Sequence, residues 1–292
     1  MIHRERTVSQ KREYTADFYC FEEGNNRNST ALRDLLDMYN NRHAPAYSID
    51  DDALIKYQIR SIRSNHDKTV FKAVFGKLRH DGAPEQASEN SVESDIELLP
   101  EHGLVEKSHF LFFSDINLVV FQRNRNAGSK SHLQAYLNKP TYASRVLVSV
   151  PTRDSYTRLM QGGPIKKVEF SLRKPAFSSD QEDALLTDLV KVFSDSNASR
   201  IKITLSASVG GSLLDNVKEA IVGLTRFGRT SVARATMVNN DEIIDLMVDR
   251  VVHSFSVELI PNRRRPDAES VFAGLAEAKD ACASQLSAYF CA

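Results

Sequence analysis

Apolar positions change their period several times along this chain, and each change marks an element. Residues 14–21 half-alternate aromatic and polar side chains, as a strand does. Leu32, Leu35, Leu36 and Tyr39 then fall on one face of a helix that Ser29 or Thr30 can cap. At 54–60, Ile55, Tyr57 and Ile59 alternate with Lys56, Gln58 and Arg60, and strand character returns at 69–78 after a turn at 64–67. The runs 110–113 and 118–121 are apolar on both faces, which predicts a hairpin of two central strands buried on both sides. A helix follows to Asn138, ended by Lys139-Pro140.

The second half has a different rhythm. After a strand at 145–150 and a helical turn near 154–160, Gly162-Gly163-Pro164 reads as a boundary. Beyond it the pattern gives strands at 165–172, 200–207, 230–237 and 251–260, helices at 180–193 and 213–224, and a final helix from Asp267 to about Tyr289. The fold class expected is α+β. A loose segment at 1–13 precedes an N-terminal, mostly antiparallel sheet domain with short helices over 14–161. A C-terminal domain over 165–292 has a small sheet covered by helices and ends in a long helix. The stripe Val271, Leu275, Ala278, Cys282, Leu286 and Tyr289 on that helix either docks on its own domain or pairs with a second subunit, giving a homodimer.

Composition narrows the class. The 292 residues hold 38 basic and 38 acidic side chains, so the chain is neutral overall. No apolar run reaches the roughly 20 residues that a membrane-spanning helix needs, and residues 1–13 lack the apolar core of a secretory signal; a cytoplasmic protein without membrane insertion is expected. Three scattered cysteines and eight isolated histidines offer neither a disulfide framework nor a metal-ligand spacing, and no cofactor or metal is expected.

Charge is neutral in sum but segregated in position. Between Lys107 and Lys174 lie twelve Lys or Arg and three acids, an excess of nine; from Glu85 to Glu106 lie seven acids and no Lys or Arg. A local block of this kind is a candidate polyanion surface. Arg123 and Arg125 leave the end of a strand just before Lys130 opens a helix, so three cations stand beside unsatisfied N–H groups. Lys166, Lys167, Arg173 and Lys174 bracket the first strand of the second domain. These seven residues are the candidate nucleic-acid contacts, made to duplex phosphates rather than base edges, because the aromatics nearby fall at buried positions. The alternative is a solvated face whose pairs contribute only ~0–1 kcal/mol each. Residues 80–94 read as a mobile acidic loop, and the stretch from Glu85 to Glu106 could lie over the cations as a phosphate mimic. Arg263-Arg264-Arg265, between prolines, is a second exposed basic feature.

No residue pattern fixes a reaction, and no catalytic residue is expected. Asp50-Asp51-Asp52 could gather Mg²⁺ for phosphodiester cleavage, though three acids before a strand also read as an exposed turn.

The run KSHFLFFSDINLVVFQRNRNAGSKSHLQAYLNK (107–139), followed by VLVSV (146–150) and KKVEF (166–170), resembles the core of Rex-type phage exclusion proteins, the lambda RexA group. More loosely it is similar to defence subunits such as KwaB. The resemblance spans about residues 14–260 in the order of elements. It implies a dimeric, non-enzymatic, prophage-encoded or antiviral defence protein that binds double-stranded DNA with little sequence preference, acting with a second component. A rival reading is a protein-interaction subunit of a defence complex.

Overall fold

The computed structural model describes residues 11–23, 31–40, 48–82, 85–86, 92, 94–99, 101–139, 145–173, 195, 198, 200–214, 217–219, 221, 230–238, 242–260 and 265–290. Their elements, in chain order, are β1 (Lys11–Glu23), α1 (Ala31–Asn40), β2 (Ile49–Asp52), β3 (Ile55–Ser64), β4 (Val70–Arg79), β5 (Glu85–Gln86), β6 (Ser94–Asp95), β7 (Leu104–Phe113), β8 (Leu118–Arg123), α2 (Lys130–Asn138), β9 (Arg145–Ser149), α3 (Arg153–Gln161), β10 (Ile165–Arg173), β11 (Arg200–Ser206), β12 (Thr230–Met237), β13 (Ile243–Asp245), β14 (Val252–Glu258), α4 (Ala268–Ala281) and α5 (Ala283–Phe290). The fold is α+β, with two main antiparallel sheets and a helical C-terminus.

The larger sheet runs in the order β14-β1-β8-β7-β4-β3-β2, with β9 also on β1. Strand alternation sorts its side chains to two cores. Tyr19, Phe21, Tyr57, Phe75, Phe110 and Phe121 face α1 and α2, whose Leu32, Leu35, Leu36, Leu133, Tyr136 and Leu137 complete one cluster. Ala16, Phe18, Cys20, Leu111, Leu118 and Val120 face the opposite way, against Val271, Phe272, Leu275, Ala278, Cys282 and Leu286 of the terminal helices. Because helices cover both faces, the runs 110–113 of β7 and 118–121 of β8 are apolar on both sides, as the hairpin pattern predicts.

A smaller sheet, ordered β11-β10-β12-β13, buries Val168, Phe170, Ala233, Ala235 and Ile244 on one face with Leu159 and Ile221. The expected helix at 180–193 lies outside the described residues, as do half of 213–224 and most of the acidic loop at 80–94.

The domain division expected over 165–292 needs correcting. β14 pairs with β1 from Lys11↔Glu258 to Asp17↔Val252, and α4 and α5 pack on the larger sheet, so the terminal stretch returns to the first unit. The smaller sheet is an insertion whose entry and exit are laced together. Val251 N–H donates to Val150 O at 2.9 Å and Thr152 N–H to Asp249 O at 2.9 Å, with a bridge between Pro151 and Arg250. The physical reason is the length of β1: its 13 residues expose more backbone than β8 alone satisfies, and β14 and β9 share its other edge. The stripe on the terminal helix is thereby taken up by the chain's own sheet. Its dimer reading loses its surface.

The terminal helix is two helices, broken at Cys282, whose ψ of 9° leaves the helical range. Asp267 caps α4 by accepting from Ser270 N–H at 3.1 Å. The helix axis can approach β14 closely only at Gly274, where a Cβ would stand 2.3 Å from the Phe255 ring. Gly274→Ala should therefore destabilise the fold by about 1–3 kcal/mol through overpacking, read as a lower urea midpoint at an unchanged slope.

Candidate polyanion-binding surfaces

Two cationic features emerge once the strands are paired, one exposed and one gathered around a buried carboxylate.

The exposed feature is the outer face of the smaller sheet. Registers Glu169↔Thr204, Glu169↔Arg234, Ser171↔Lys202 and Arg173↔Arg200 align one side of three strands. The half-buried, core-facing positions Ile201 and Ile203 alternate with exposed Arg200, Lys202 and Thr204, so the cations share the other face. Lys167, Lys202 and Arg234 surround Glu169 and hold its carboxyl below the usual range, the Lys167 hydrogen bond contributing most. Lys167 Nζ lies 2.8 Å from Glu169 and Arg234 Nε 2.6 Å from Asp245. Four cations (Lys167, Arg200, Lys202, Arg234) against two carboxylates (Glu169, Asp245) leave a formal +2 on this face.

The second feature lies on the larger sheet, on the side that carries α2. Asp17 is almost wholly buried in β1, and Arg123 at the end of β8 binds it through two nitrogens, Nε at 2.8 Å and Nη2 more closely. Arg250, fixed by the laced crossing beside Pro151, comes within 3.5 Å of the same carboxylate. The Tyr19 phenol stands beside the same carboxylate, and burial together with that charge pushes it far above its usual range. Lys130, the first residue of α2, carries its Nζ over the Tyr19 ring at 5.4 Å from the centroid. Lys130 is half-buried, and its Nζ has no hydrogen-bond acceptor among the described residues. Burial, with repulsion from Arg250, pulls the Lys130 pKa down to about 8.

The loop before α2 determines where Lys130 sits. Gly128 presses on the rings of Phe75 and Tyr57, where a Cβ would come within 2.4 Å of Phe75. His132 stacks on Tyr57 with centroids 4.0 Å apart and accepts the Ser129 N–H at 3.1 Å, closing the first helical turn.

The seven expected contacts divide between the two features. Arg123 and Lys130 enter the buried niche, the first already paired. Arg125 is exposed in the connecting loop, and Lys166 is exposed beside the irregularity between Ile165 and Lys167 in β10. Lys167 joins the outer face of the smaller sheet. Arg173 ends β10 opposite Arg200, with its side chain outside the described residues, and Lys174 lies outside them too. Asp17, Tyr19 and Arg250 were missed, because only long-range pairing brings them together. Arg200, Lys202 and Arg234 were also missed, although the alternation in RIKITLS carried a signal for the first two.

Among the described residues no group of three or more His, Cys, Asp or Glu could hold a metal ion, and no helix is long and apolar enough to cross a membrane. Asp50 is exposed, and the side chains of Asp51 and Asp52 lie outside the described residues, as does most of Arg263–Arg265.

Fold and surfaces define an α+β protein built on a helix-covered antiparallel sheet with a smaller, cation-bearing sheet inserted near its C-terminal strand. The chain belongs to DUF6731, a family of unknown function, over residues 9–281. No curated protein matches it.

The ammonium of Lys130 gives a stability prediction with a definite sign. Its folded pKa of about 8 lies below the ordinary 10.5, so between those values the unfolded chain holds more protons and stability rises with pH. Below about pH 8 the buried charge costs on the order of 3 kcal/mol, at 1.36 kcal/mol per unit. Lys130→Met should raise the melting temperature at pH 7 and abolish the rise between about pH 8 and 10. A calorimetric pH series on both proteins checks this.

Proposed function

We propose that the protein binds the sugar-phosphate backbone of double-stranded DNA without reading its sequence. The observation that carries the proposal is the outer face of the smaller sheet. There Lys167, Arg200, Lys202 and Arg234 stand on three adjacent strands, in excess over Glu169 and Asp245. Exposed cations held in fixed register offer phosphate contacts that position a duplex, and an antiparallel sheet face needs no base-edge chemistry to do so. Arg125 and Lys166, both exposed, add to the charge available.

The biological setting, prophage-encoded phage exclusion or antiviral defence in the cytoplasm, is part of the same proposal and rests on the resemblance to Rex-type proteins. Homodimer formation and a second defence component rest on it as well. A protein-interaction role is the second reading, favoured by large apolar side chains exposed around the smaller sheet: Leu205, Val209, Leu214, Ile243 and Val248.

Mobility-shift titrations of unrelated duplexes at several salt concentrations test the proposal. Equal affinity across sequences is expected, with a log–log salt slope of about −3 to −4 for four phosphate contacts. Arg200→Glu with Lys202→Glu should weaken binding at least roughly tenfold and flatten the slope by about two. No shift at low salt would hand the function to the protein-interaction reading. Plasmid incubated with Mg²⁺ or Mn²⁺ should stay intact; nicking would revive a nuclease based on Asp50.

A further inference from the structure

The buried niche on the larger sheet is chemically distinct from the outer face of the smaller one. Asp17 is committed to Arg123, Arg250 and Tyr19 together. Lys130 stands beside them with three N–H donors and no acceptor among the described residues, over a ring that offers only its π face. Arg250 has one close carboxylate, at 3.5 Å, and keeps a partly exposed guanidinium. Three cations and one carboxylate sum to +2. Partly buried cationic donors converging on one strand end, beside the first turn of a nine-residue helix, are the equipment for holding an oxyanion.

We propose that Lys130, Arg250 and Arg123, at the N-terminal turn of α2, form a binding site for a phosphate monoester or inorganic phosphate. Charge selects this class. A monophosphate dianion neutralises the niche, whereas a carboxylate or a backbone phosphodiester leaves it with an excess positive charge. Tyr19 forms the apolar floor beneath the ammonium and, through Asp17, keeps the second arginine in place. The groups facing the site are Asp17 and Tyr19 from β1, Arg123 from β8, Lys130 from α2 and Arg250 from the segment before β14. Of these, Lys130 titrates in the accessible range. Bound dianion holds it protonated, so binding near pH 8 takes up a proton and affinity falls as the solution becomes more alkaline.

Thermal shift and titration calorimetry with inorganic phosphate, adenosine 5′-monophosphate and adenosine, against chloride at matched ionic strength, test the site. Phosphate is expected to raise the melting temperature of the full chain where chloride does not, with affinity dropping between about pH 7 and pH 9. Lys130→Met, which should fold at least as stably, loses about tenfold or more in affinity, and Lys130→Arg keeps most of it. A shift from the monophosphate as well as from phosphate makes the ligand a phosphorylated metabolite or strand end, and a shift from phosphate alone makes it the free anion. A wild-type response no larger than that to chloride, or an equal response in Lys130→Met, overturns the site. The Arg200→Glu, Lys202→Glu variant keeps the phosphate response, so the niche and the DNA surface fail separately.

Discussion

The paired backbone of β1 is the constraint on which the rest of the molecule depends. A 13-residue strand in the interior of a sheet must satisfy every N–H and C=O along it, and no single neighbour is long enough to do so. β8 takes Thr15 to Cys20 on one edge, while β14 and β9 divide the other between Lys11–Asp17 and Tyr19–Glu23. The junction between β14 and β9 falls at Asp17 to Tyr19. There the ladder changes partner, the smaller sheet leaves and re-enters, and Asp17, Arg123, Arg250 and Lys130 come together. The charged niche is thus a consequence of the strand-pairing problem as much as of the residues in it.

Burial on both faces follows from the same strand. Its even-numbered side chains Ala16, Phe18 and Cys20 join the core under α4 and α5, and its odd-numbered Tyr19 and Phe21 join the core under α1 and α2. On the face under α4 and α5 a polar pair is also enclosed. Gln122 Oε1 accepts the His109 N–H at 3.0 Å and lies 2.7 Å from its ring, whose edge meets Phe272 of α4; burial lowers the imidazole's pKa. Above that pair Glu269 meets Arg63 and Lys72 where α4 begins. Surface contacts of this kind add little energy but fix the register in which the helix lies.

The two cationic features obey opposite physics. On the smaller sheet, charges remain in water, pair loosely and present themselves outward at little cost; their effect is collective and screened by salt. In the niche the charges are partly withdrawn from water, which makes them costlier in isolation and stronger toward a matching anion. The overall neutrality of the chain conceals both, because the compensating acids lie largely elsewhere in the sequence.

Local chemistry was legible in the sequence. The period of two in 54–60 and 200–206, the doubly apolar hairpin at 110–121, and the face formed by Leu133, Tyr136 and Leu137 determined these elements, since hydrophobic period reports the side of a helix or strand that must be buried. The excess of cations from Arg123 to Lys130 was equally plain. What only the tertiary structure decided was partnership over long separations: that 252–258 returns to 11–17, that the terminal helix covers the first sheet, and that Asp17 meets Arg123 and Arg250. Periodicity states that a face needs covering but carries no information on what covers it, and strand pairing is selected by the cooperative filling of the whole sheet.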